Sequence, residues 1–191
     1  MKELVEAIRA RGVGVGTEIV KVDMFLNHRL DTDLFVKMGR AFADAFAAEK
    51  PDLVLTVEAS GIAAALTTAM ACGNIPVVFA KKSRTCNVTG DVYESRVFSF
   101  THGVENHIRV AKEYLPTEAK VLIIDDFLAN GEAAEGLCGL VRQAGATVIG
   151  IGICVEKSFQ PGHQKLADDG YKVVALAKVT GIVDGKLQVE D

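Results

Sequence analysis

Two adjacent carboxylates, Asp125 and Asp126, directly follow a buried-strand pattern of four apolar residues at positions 121–124. A short loop with an Asn-Gly pair at 130–131 comes next, and it leads into a helical pattern. Ligands bind where strand ends and helix N-termini converge in open α/β sheets, and the free amides of such a loop attract anions. Because carboxylates repel phosphate, the pattern predicts a ligand with two ends. Hydroxyl groups would face the acids and a phosphate would face residues 129–133, as in a sugar phosphate.

A second loop repeats this arrangement earlier in the chain. The pattern predicts a buried strand at 53–57 and an alanine-rich helix at 62–72, joined by Glu58, Ala59, Ser60 and Gly61. The amides of this loop would face the same side of the sheet as those of the first loop. Two neighbouring anion cradles suit a ligand with phosphate at both ends. Taken alone, the loop could also be an ordinary glycine-containing helix start, which is the less favoured alternative.

A run of cations, Lys81-Lys82-Ser83-Arg84, follows the predicted strand 76–80. Charge runs are usually solvated, but a polyanionic ligand gives cations at this edge a purpose. We therefore expect Lys81 or Lys82 to reach the ligand's second phosphate end. Residues 83–107 are rich in small polar residues and have a weak core pattern, which predicts a mobile flap that excludes water from the site.

The elements that must position these loops alternate between strand and helix patterns. This alternation predicts an α/β fold, with one doubly wound, mainly parallel sheet in a single domain spanning residues 1–191. Helical spacing of apolar residues predicts helices at 2–11, 32–49, 62–72 and 133–144. Apolar runs predict core strands at 53–57, 76–80, 121–124, 148–155 and 171–177, and residues 96–101 could form a β arm.

Composition narrows the classes of protein that fit. The 191 residues are 49% hydrophobic with a formal net charge of −4, which suits a well-buried sheet and predicts no attraction to nucleic acid. The first residues form an amphipathic pattern rather than a signal peptide, and no apolar stretch is long enough for a membrane span. The four cysteines have no metal-type spacing. We therefore expect a cytoplasmic protein with reduced thiols.

The strand, the Asp-Asp pair, three intervening residues, Asn-Gly and a helix together resemble the phosphoribosyl diphosphate (PRPP) motif of type I phosphoribosyltransferases. Asn130 stands where Thr is usual in that superfamily. Three further segments resemble bacterial xanthine phosphoribosyltransferases, a branch that this chain also resembles at Asn130. They are Lys-Val-Asp-Met-Phe-Leu-Asn-His at 21–28, Glu-Ala-Ser-Gly-Ile at 58–62 and Glu-Lys-Ser-Phe-Gln-Pro at 156–161. The likeness covers essentially the whole chain.

This resemblance assigns roles in the phosphoribosyl site. It implies that Asp125 and Asp126 contact the ribose 2′- and 3′-hydroxyls, where Mg²⁺ also binds, with no metal ligand expected directly from protein side chains. Glu58–Gly61 becomes the diphosphate loop, which in the family often contains a non-proline cis peptide. The 5-phosphate is assigned to the amides of Ala129, Asn130, Gly131, Glu132 and Ala133. Gly131 permits close approach or a positive φ, and we expect the Glu132 side chain to face solvent or to form a cap.

The base site is expected at the end of strand 148–155. Lys157 can donate a hydrogen bond to an exocyclic oxo group, which favours 6-oxopurines over adenine. Phe127 could pack near the purine or belong to the core. By resemblance, Val20 and Asn27 lie in a hood, built mainly from residues 1–30, that covers the base. Val20 stands where the family often has Leu.

The resemblance implies a purine-salvage enzyme that transfers the 5-phosphoribosyl group of PRPP to N9 of xanthine, giving xanthosine monophosphate (XMP) and diphosphate. It also implies a homodimer. A hypoxanthine/guanine enzyme remains an alternative because guanine shares the 6-oxo group, and Lys157 argues against an adenine enzyme. A non-catalytic, PRPP-binding transcription regulator is disfavoured because the chain has neither a basic balance nor an added DNA-binding module.

Overall fold

The structure is a computed structural model that describes residues 1–82, 90–99 and 104–190. The helices within these ranges are α1 (Lys2–Arg11), α2 (Thr32–Ala45), α3 (Gly61–Ala71), α4 (Glu132–Ala144) and α5 (Gly162–Asp168). The strands are β1 (Val13–Val15), β2 (Ile19–Lys21), β3 (Leu53–Val57), β4 (Val77–Ala80), β5 (Val92–Ser99), β6 (Val104–Ala111), β7 (Lys120–Leu128), β8 (Thr147–Lys157), β9 (Val173–Val183) and β10 (Lys186–Val189). No helix in the described part of the chain is long and apolar enough to span a bilayer.

Six strands form the central sheet in the order β10-β9-β8-β7-β3-β4, and all neighbouring pairs are parallel except β10 with β9. Alternate residues of β7 face opposite sides, as strand geometry requires. Leu122 and Ile124 pack into a core with α1, α2 and α3, whereas Val121 and Ile123 pack into a second core with α4. The predicted doubly wound, mainly parallel α/β sheet is confirmed.

The chain leaves the centre of the sheet in two directions. From β3 it steps outward to β4, and from β7 it steps the other way through β8 and β9. The adjacent pair β3 and β7 is therefore the point where the strand order reverses. In open α/β sheets the crevice at such a point is where ligands bind.

Several element boundaries differ from the sequence prediction. Strand β7 continues through the acidic pair to Leu128, because it stays paired with β8 as far as the Leu128–Glu156 register. Helix α2 ends at Ala45, earlier than the predicted end at 49. The sequence predicted none of β1, α5 and β10, which are short elements of three, seven and four residues.

The N-terminal segment expected to form the hood contains a small antiparallel hairpin, β1–β2, outside the main sheet. Gly14 N in this hairpin donates to Gly185 O (2.9 Å) in the β9–β10 turn. Helix α1 also packs beside β10. The C-terminal strands therefore support the N-terminal segment that is expected to form most of the hood.

The described part of the expected flap is the antiparallel hairpin β5–β6, which packs on α4. Gln143 Nε2 on α4 donates to Glu94 O (2.8 Å), and Glu94 N donates to Gln143 Oε1 (3.3 Å). Main-chain bonds between Lys81 and Arg109 join the hairpin to the end of β4. Residues 83–89 and 100–103 of the expected flap lie outside the described residues.

The glycine-rich pattern of β8 has a packing cause. A Cβ on Gly150 would lie 2.3 Å from Phe46 Cε1, and a Cβ on Gly152 would lie 2.8 Å from Phe42 Cδ1. Both phenylalanines are fully buried. The glycines therefore let the two aromatic rings at the C-terminal end of α2 pack directly on the backbone of the sheet.

We expect Gly152→Ala to lower the free energy of unfolding by about 1–3 kcal/mol, because the new methyl group overpacks the core against Phe42 and Ile124. Urea denaturation of both proteins measures the change. Gly181→Ala is the control, because nothing lies within 4 Å of its Cβ position. Equal destabilisation by both substitutions would contradict this packing explanation.

Candidate functional site

The two predicted anion loops lie side by side at the reversal point of the sheet. Strands β3 and β7 run parallel, with Leu55 opposite Ile123. The Glu58–Gly61 loop follows β3 and leads into α3, while the 129–131 loop follows β7 and leads into α4. Because the two strands share a direction, both loops and both helix N-termini open at one edge of the sheet.

The loop at 129–131 has the form of a phosphate cradle. Gly131 adopts φ +99° and caps α4 without a side-chain hydrogen bond. The carbonyl oxygen of Gly131 accepts the first hydrogen bond of the helix, from Glu135 N (2.9 Å). The amides that come before Glu135 in the first turn, including those of Glu132 and Ala133, therefore have no partner within the helix. These amides and the positive end of α4 can hold an anion.

Of the two expectations for Glu132, the cap is not formed. Glu132 is the half-buried first residue of α4, the helix has no side-chain cap, and Glu132 Oε1 is screened from solvent with no hydrogen-bond partner among the described residues. The predicted cap is wrong because a capping-box acid must stand three residues after the cap, whereas Glu132 directly follows Gly131. A half-buried carboxylate beside an anion cradle favours a ligand that brings a cation with it.

The second loop is tied to its neighbouring strand by its own acid. The Glu58–Ala59 peptide bond is cis, as the family resemblance implied. Glu58 Oε1 accepts a hydrogen bond from Lys82 N (2.6 Å), and Glu58 N donates to Ala80 O (3.1 Å). Ser60 is the N-cap of α3 but makes no capping bond with its side chain. The loop therefore keeps its position through β4 and not through a local cap.

The acidic pair is asymmetric. Asp125 is 5% exposed, whereas Asp126 is only half-buried. Burial, reinforced by the neighbouring Asp126 carboxylate, raises the pKa of Asp125 well above its usual range. Asp125 Oδ1 accepts a bond from Asp126 N (2.9 Å). Asp126 is thus the more accessible acid, and Asp125 lies beneath it.

Gly61 makes this burial possible. A Cβ on Gly61 would lie 2.8 Å from Asp125 Oδ1 and 2.2 Å from Thr56 Oγ1. The hydroxyl of Thr56 is fully buried and has no hydrogen-bond partner among the described residues. Only glycine lets the diphosphate loop approach the acidic strand end this closely.

The two lysines differ in their surroundings. The positive charge of Lys82 lowers the pKa of Asp125 and so opposes part of the rise that burial causes. Lys82 therefore lies near the acidic pair. Lys81 is half-buried and lines a cavity of about 760 Å³ between β4 and β6, which does not include the acidic pair. The structure therefore favours Lys82 for the ligand, where the sequence left both lysines open.

Lys157 and Phe127 come together on the β8 side of the crevice. Lys157 Nζ donates to Glu18 O (3.0 Å) in the β1–β2 turn and lies 5.9 Å from the centre of the Phe127 ring. Burial lowers the pKa of Lys157. Phe127 is half-buried and packs against the core that contains Val20, so its core role and its place beside the crevice coexist. Asn27 is exposed after β2.

Sequence reasoning missed the support of the phosphate cradle by α5. Gly162 N donates to Ala129 O (3.0 Å), and Lys165 Nζ donates to Asn130 O (3.2 Å). His163, to which the sequence analysis assigned no role, lies 2.7 Å from the buried Glu156 carboxylate. The Pro-Gly step at 161–162 was the one available signal, since Pro is common just before or at the first turn of a helix.

The comparisons with known proteins agree with this geometry. A model of the phosphoribosyl transferase domain matches residues 31–186. The xanthine phosphoribosyltransferase of Geobacillus thermodenitrificans is 46% identical over 191 residues, covering 100% of this chain and 98% of the relative. The enzyme of that name from Bifidobacterium adolescentis is 50% identical over 179 residues, covering 94% and 93%.

Among solved structures, the crystal structure of an adenine phosphoribosyltransferase from Rhodothermus marinus superposes with a TM-score of 0.74. It is 18% identical and covers 94% of this chain and 100% of that one. At this identity the likeness concerns the fold alone. The matched domain, the full-length relatives and the paired loops lead to one conclusion. This chain belongs to the phosphoribosyl transferase domain family.

Proposed function

We propose that this protein is a xanthine phosphoribosyltransferase of purine salvage. It transfers the 5-phosphoribosyl group of PRPP to N9 of xanthine and releases XMP and diphosphate. The observation that carries the proposal is a lysine ammonium beside an aromatic ring at the sheet edge that also holds the acidic pair. The names of the full-length relatives support the same base.

The phosphoribosyl half of the reaction uses the two loops. The amides of residues 129–133 bind the 5-phosphate, and those of Glu58–Gly61 bind the diphosphate with Lys82 nearby. Asp126 and the deeper Asp125 grip the ribose hydroxyls between these two sites. Diphosphate departs as positive charge develops on the ribose ring, and the nearby carboxylates stabilise that charge. Positioning and preorganised charge supply the rate enhancement, without a protein nucleophile.

A magnesium ion suits this donor set. The carboxylates of Asp125 and Asp126 would hold the ion indirectly, through the ribose hydroxyls and water, because hard oxygen groups of this kind suit the hydrated Mg²⁺ ion. The described residues contain no cluster of three or more His, Cys, Asp or Glu side chains, so most of the ion's ligands would come from PRPP and water. When bound, the ion neutralises charge on the departing diphosphate.

The base half depends on Lys157. An ammonium only donates hydrogen bonds, so it fits the 6-oxo group of xanthine and leaves the 6-amino group of adenine without an acceptor. The half-burial of Lys157 strengthens this discrimination, because a wrong base would leave a desolvated charge unpaired. Phe127 supplies an apolar surface for the purine ring, and Val20 and Asn27 complete the hood, with Asn27 directed to the 2-oxo edge.

The base preference is tested by measuring PRPP-dependent nucleotide formation with xanthine, guanine, hypoxanthine and adenine. We expect the highest kcat/KM with xanthine and the lowest with adenine. Guanine or hypoxanthine as the best substrate would favour the hypoxanthine/guanine alternative. PRPP binding without turnover of any base would favour the non-catalytic regulator.

The same assay is run on the Lys157→Met variant, because methionine is similar in length to lysine and removes the charge. We expect kcat/KM for xanthine to fall by about 10²-fold or more, since the 6-oxo group loses its donor. The preference for xanthine over adenine should fall with it. An unchanged preference would contradict the role of Lys157.

The acidic pair predicts opposite effects on activity and stability. A raised pKa means that the folded protein binds a proton on Asp125 that the unfolded chain has already lost. This carboxyl therefore costs stability as pH rises from its unfolded pKa, about 4, towards its folded pKa. Asp125→Asn removes that cost, so its Tm gain over wild type should grow with pH while turnover falls by about 10²-fold or more.

Differential scanning fluorimetry from about pH 4 to about pH 9 measures the stability arm without ligand. Asp126→Asn is the comparison and should give a smaller gain, because it removes the neighbouring charge that reinforces the raised pKa of Asp125 but leaves the larger cause, the burial of Asp125. The double variant should lose turnover and keep its fold. Near-normal turnover of the double variant would refute the contact with the sugar, and a falling Tm for Asp125→Asn would refute the burial cost.

The proposal extends to assembly, location and closure. Apolar side chains are exposed on α3 and on the adjoining edge strand β4, namely Leu66 (51%), Met70 (59%) and Phe79 (40%). Such a surface supports a homodimer, in a cytoplasmic protein with no nucleic-acid partner and no membrane partner. The described strands of the expected flap, β5 and β6, would close over bound PRPP. Light scattering after gel filtration should give roughly twice the chain mass of 20.4 kDa, and a monomer would contradict the dimer.

A further inference from the structure

The phosphate cradle rests on α5 through backbone contacts. A Cβ on Gly162 would lie 2.4 Å from Ala129 O, 2.8 Å from Gly131 N and 3.0 Å from Asn130 C. No side chain of Gly162 separates the two segments. A displacement of α5 is therefore transmitted directly to the amides that face the 5-phosphate.

Helix α5 has only seven residues, which is too short to be stable without tertiary contacts. One such contact is an ionic hydrogen bond to the end of β8. His163 Nδ1 lies 2.7 Å from Glu156 Oε2, and since a carboxylate only accepts, the imidazole N–H is the donor. The other carboxylate oxygen accepts from Ser158 Oγ at 2.8 Å. Glu156 is 3% exposed, so these partners replace its water.

Glu156 occupies a junction between the two halves of the site. It pairs in register with Leu128, the residue directly before the cradle, and it precedes Lys157, the proposed base contact. Its carboxylate already has a donor on each oxygen. A buried carboxylate with a protein donor on each oxygen fits a residue that supports the site and does not touch the substrate.

We propose that Glu156 and His163 are positioning residues of the phosphoribosyl site. Their hydrogen bond holds α5 against the cradle, so that Gly162 fixes the conformation of residues 129–131 relative to Lys157. This inference rests on the proposed function for its assay. Loss of the Glu156–His163 hydrogen bond should weaken the binding of PRPP, because α5 contacts the phosphate cradle. The binding of the base should change less, because Lys157 is carried by β8 itself.

The test compares His163→Ala with His163→Asn, which keeps an N–H donor near the place of Nδ1. We expect His163→Ala to raise KM for PRPP about tenfold or more, because a small misplacement of a binding group is costly. KM for xanthine should stay within about twofold of wild type, and His163→Asn should restore most of the PRPP affinity. A merely structural role would lower Tm without this split between the two substrates.

Gln164→Ala is the matched control on the same helix. Gln164 is exposed, and its Nε2 donates to Asp168 Oδ1 within α5 (2.7 Å), so both KM values should stay unchanged. If His163→Ala is too unstable for kinetics, Glu156→Gln supplies the comparison, since it keeps the shape of the side chain and removes its charge. An unchanged KM for PRPP in folded His163→Ala, or equal rises for both substrates, would overturn the proposal.

Calorimetric PRPP binding in the absence of base separates this inference from the proposed function. Gly162→Ala should weaken binding about tenfold or more, because the new methyl group collides with the cradle backbone. Gly181→Ala should bind as wild type does. Wild-type protein that binds PRPP but converts no base would refute the proposed function alone. Gly162→Ala that binds as well as wild type would refute the inference alone.

Discussion

The parallel pairing of β3 with β7 is the constraint on which the rest of the site depends. The chain moves outward from this pair in opposite directions, so no other strand intrudes between the two loops that follow it. Each loop begins a helix, and both helix N-termini face the same crevice. This edge of the sheet can therefore offer two positive helix ends to a ligand with phosphate at both ends, whereas one loop with its helix could offer only one.

The same pairing forces a carboxylate into the protein interior. Asp125 stands on the strand that carries the phosphate cradle, and the diphosphate loop lies across it because Gly61 has no side chain. The burial of Asp125 raises its pKa and costs stability, which is the usual price of preorganised charge at a functional site. A ligand that arrives with cations, as proposed for PRPP with Mg²⁺, would relieve this cost.

Elements with long one-sided patterns were predictable from the sequence. Helix α1 matches its predicted bounds because its apolar residues mark one buried face, and strand β3 matches because it is a continuous apolar run buried on both faces. The full length of β7 was not predictable, since its last residues are held by pairing with β8 and their own types favour a loop. Helix α5 was missed because Gly162 and His163 owe their positions to partners that lie elsewhere in the chain.

The sequence by itself determined the chemistry of this protein: two anion loops, an acidic pair, and a lysine suited to an oxo group. These features are local, because each depends on residue types a few positions apart along the chain. Only the tertiary structure decided that the loops adjoin, that Asp125 is buried while Asp126 is accessible, and that α5 supports the cradle. Those facts depend on contacts between residues far apart in sequence, such as Gly61 with Asp125 and Gly162 with Ala129, and no local pattern records such contacts.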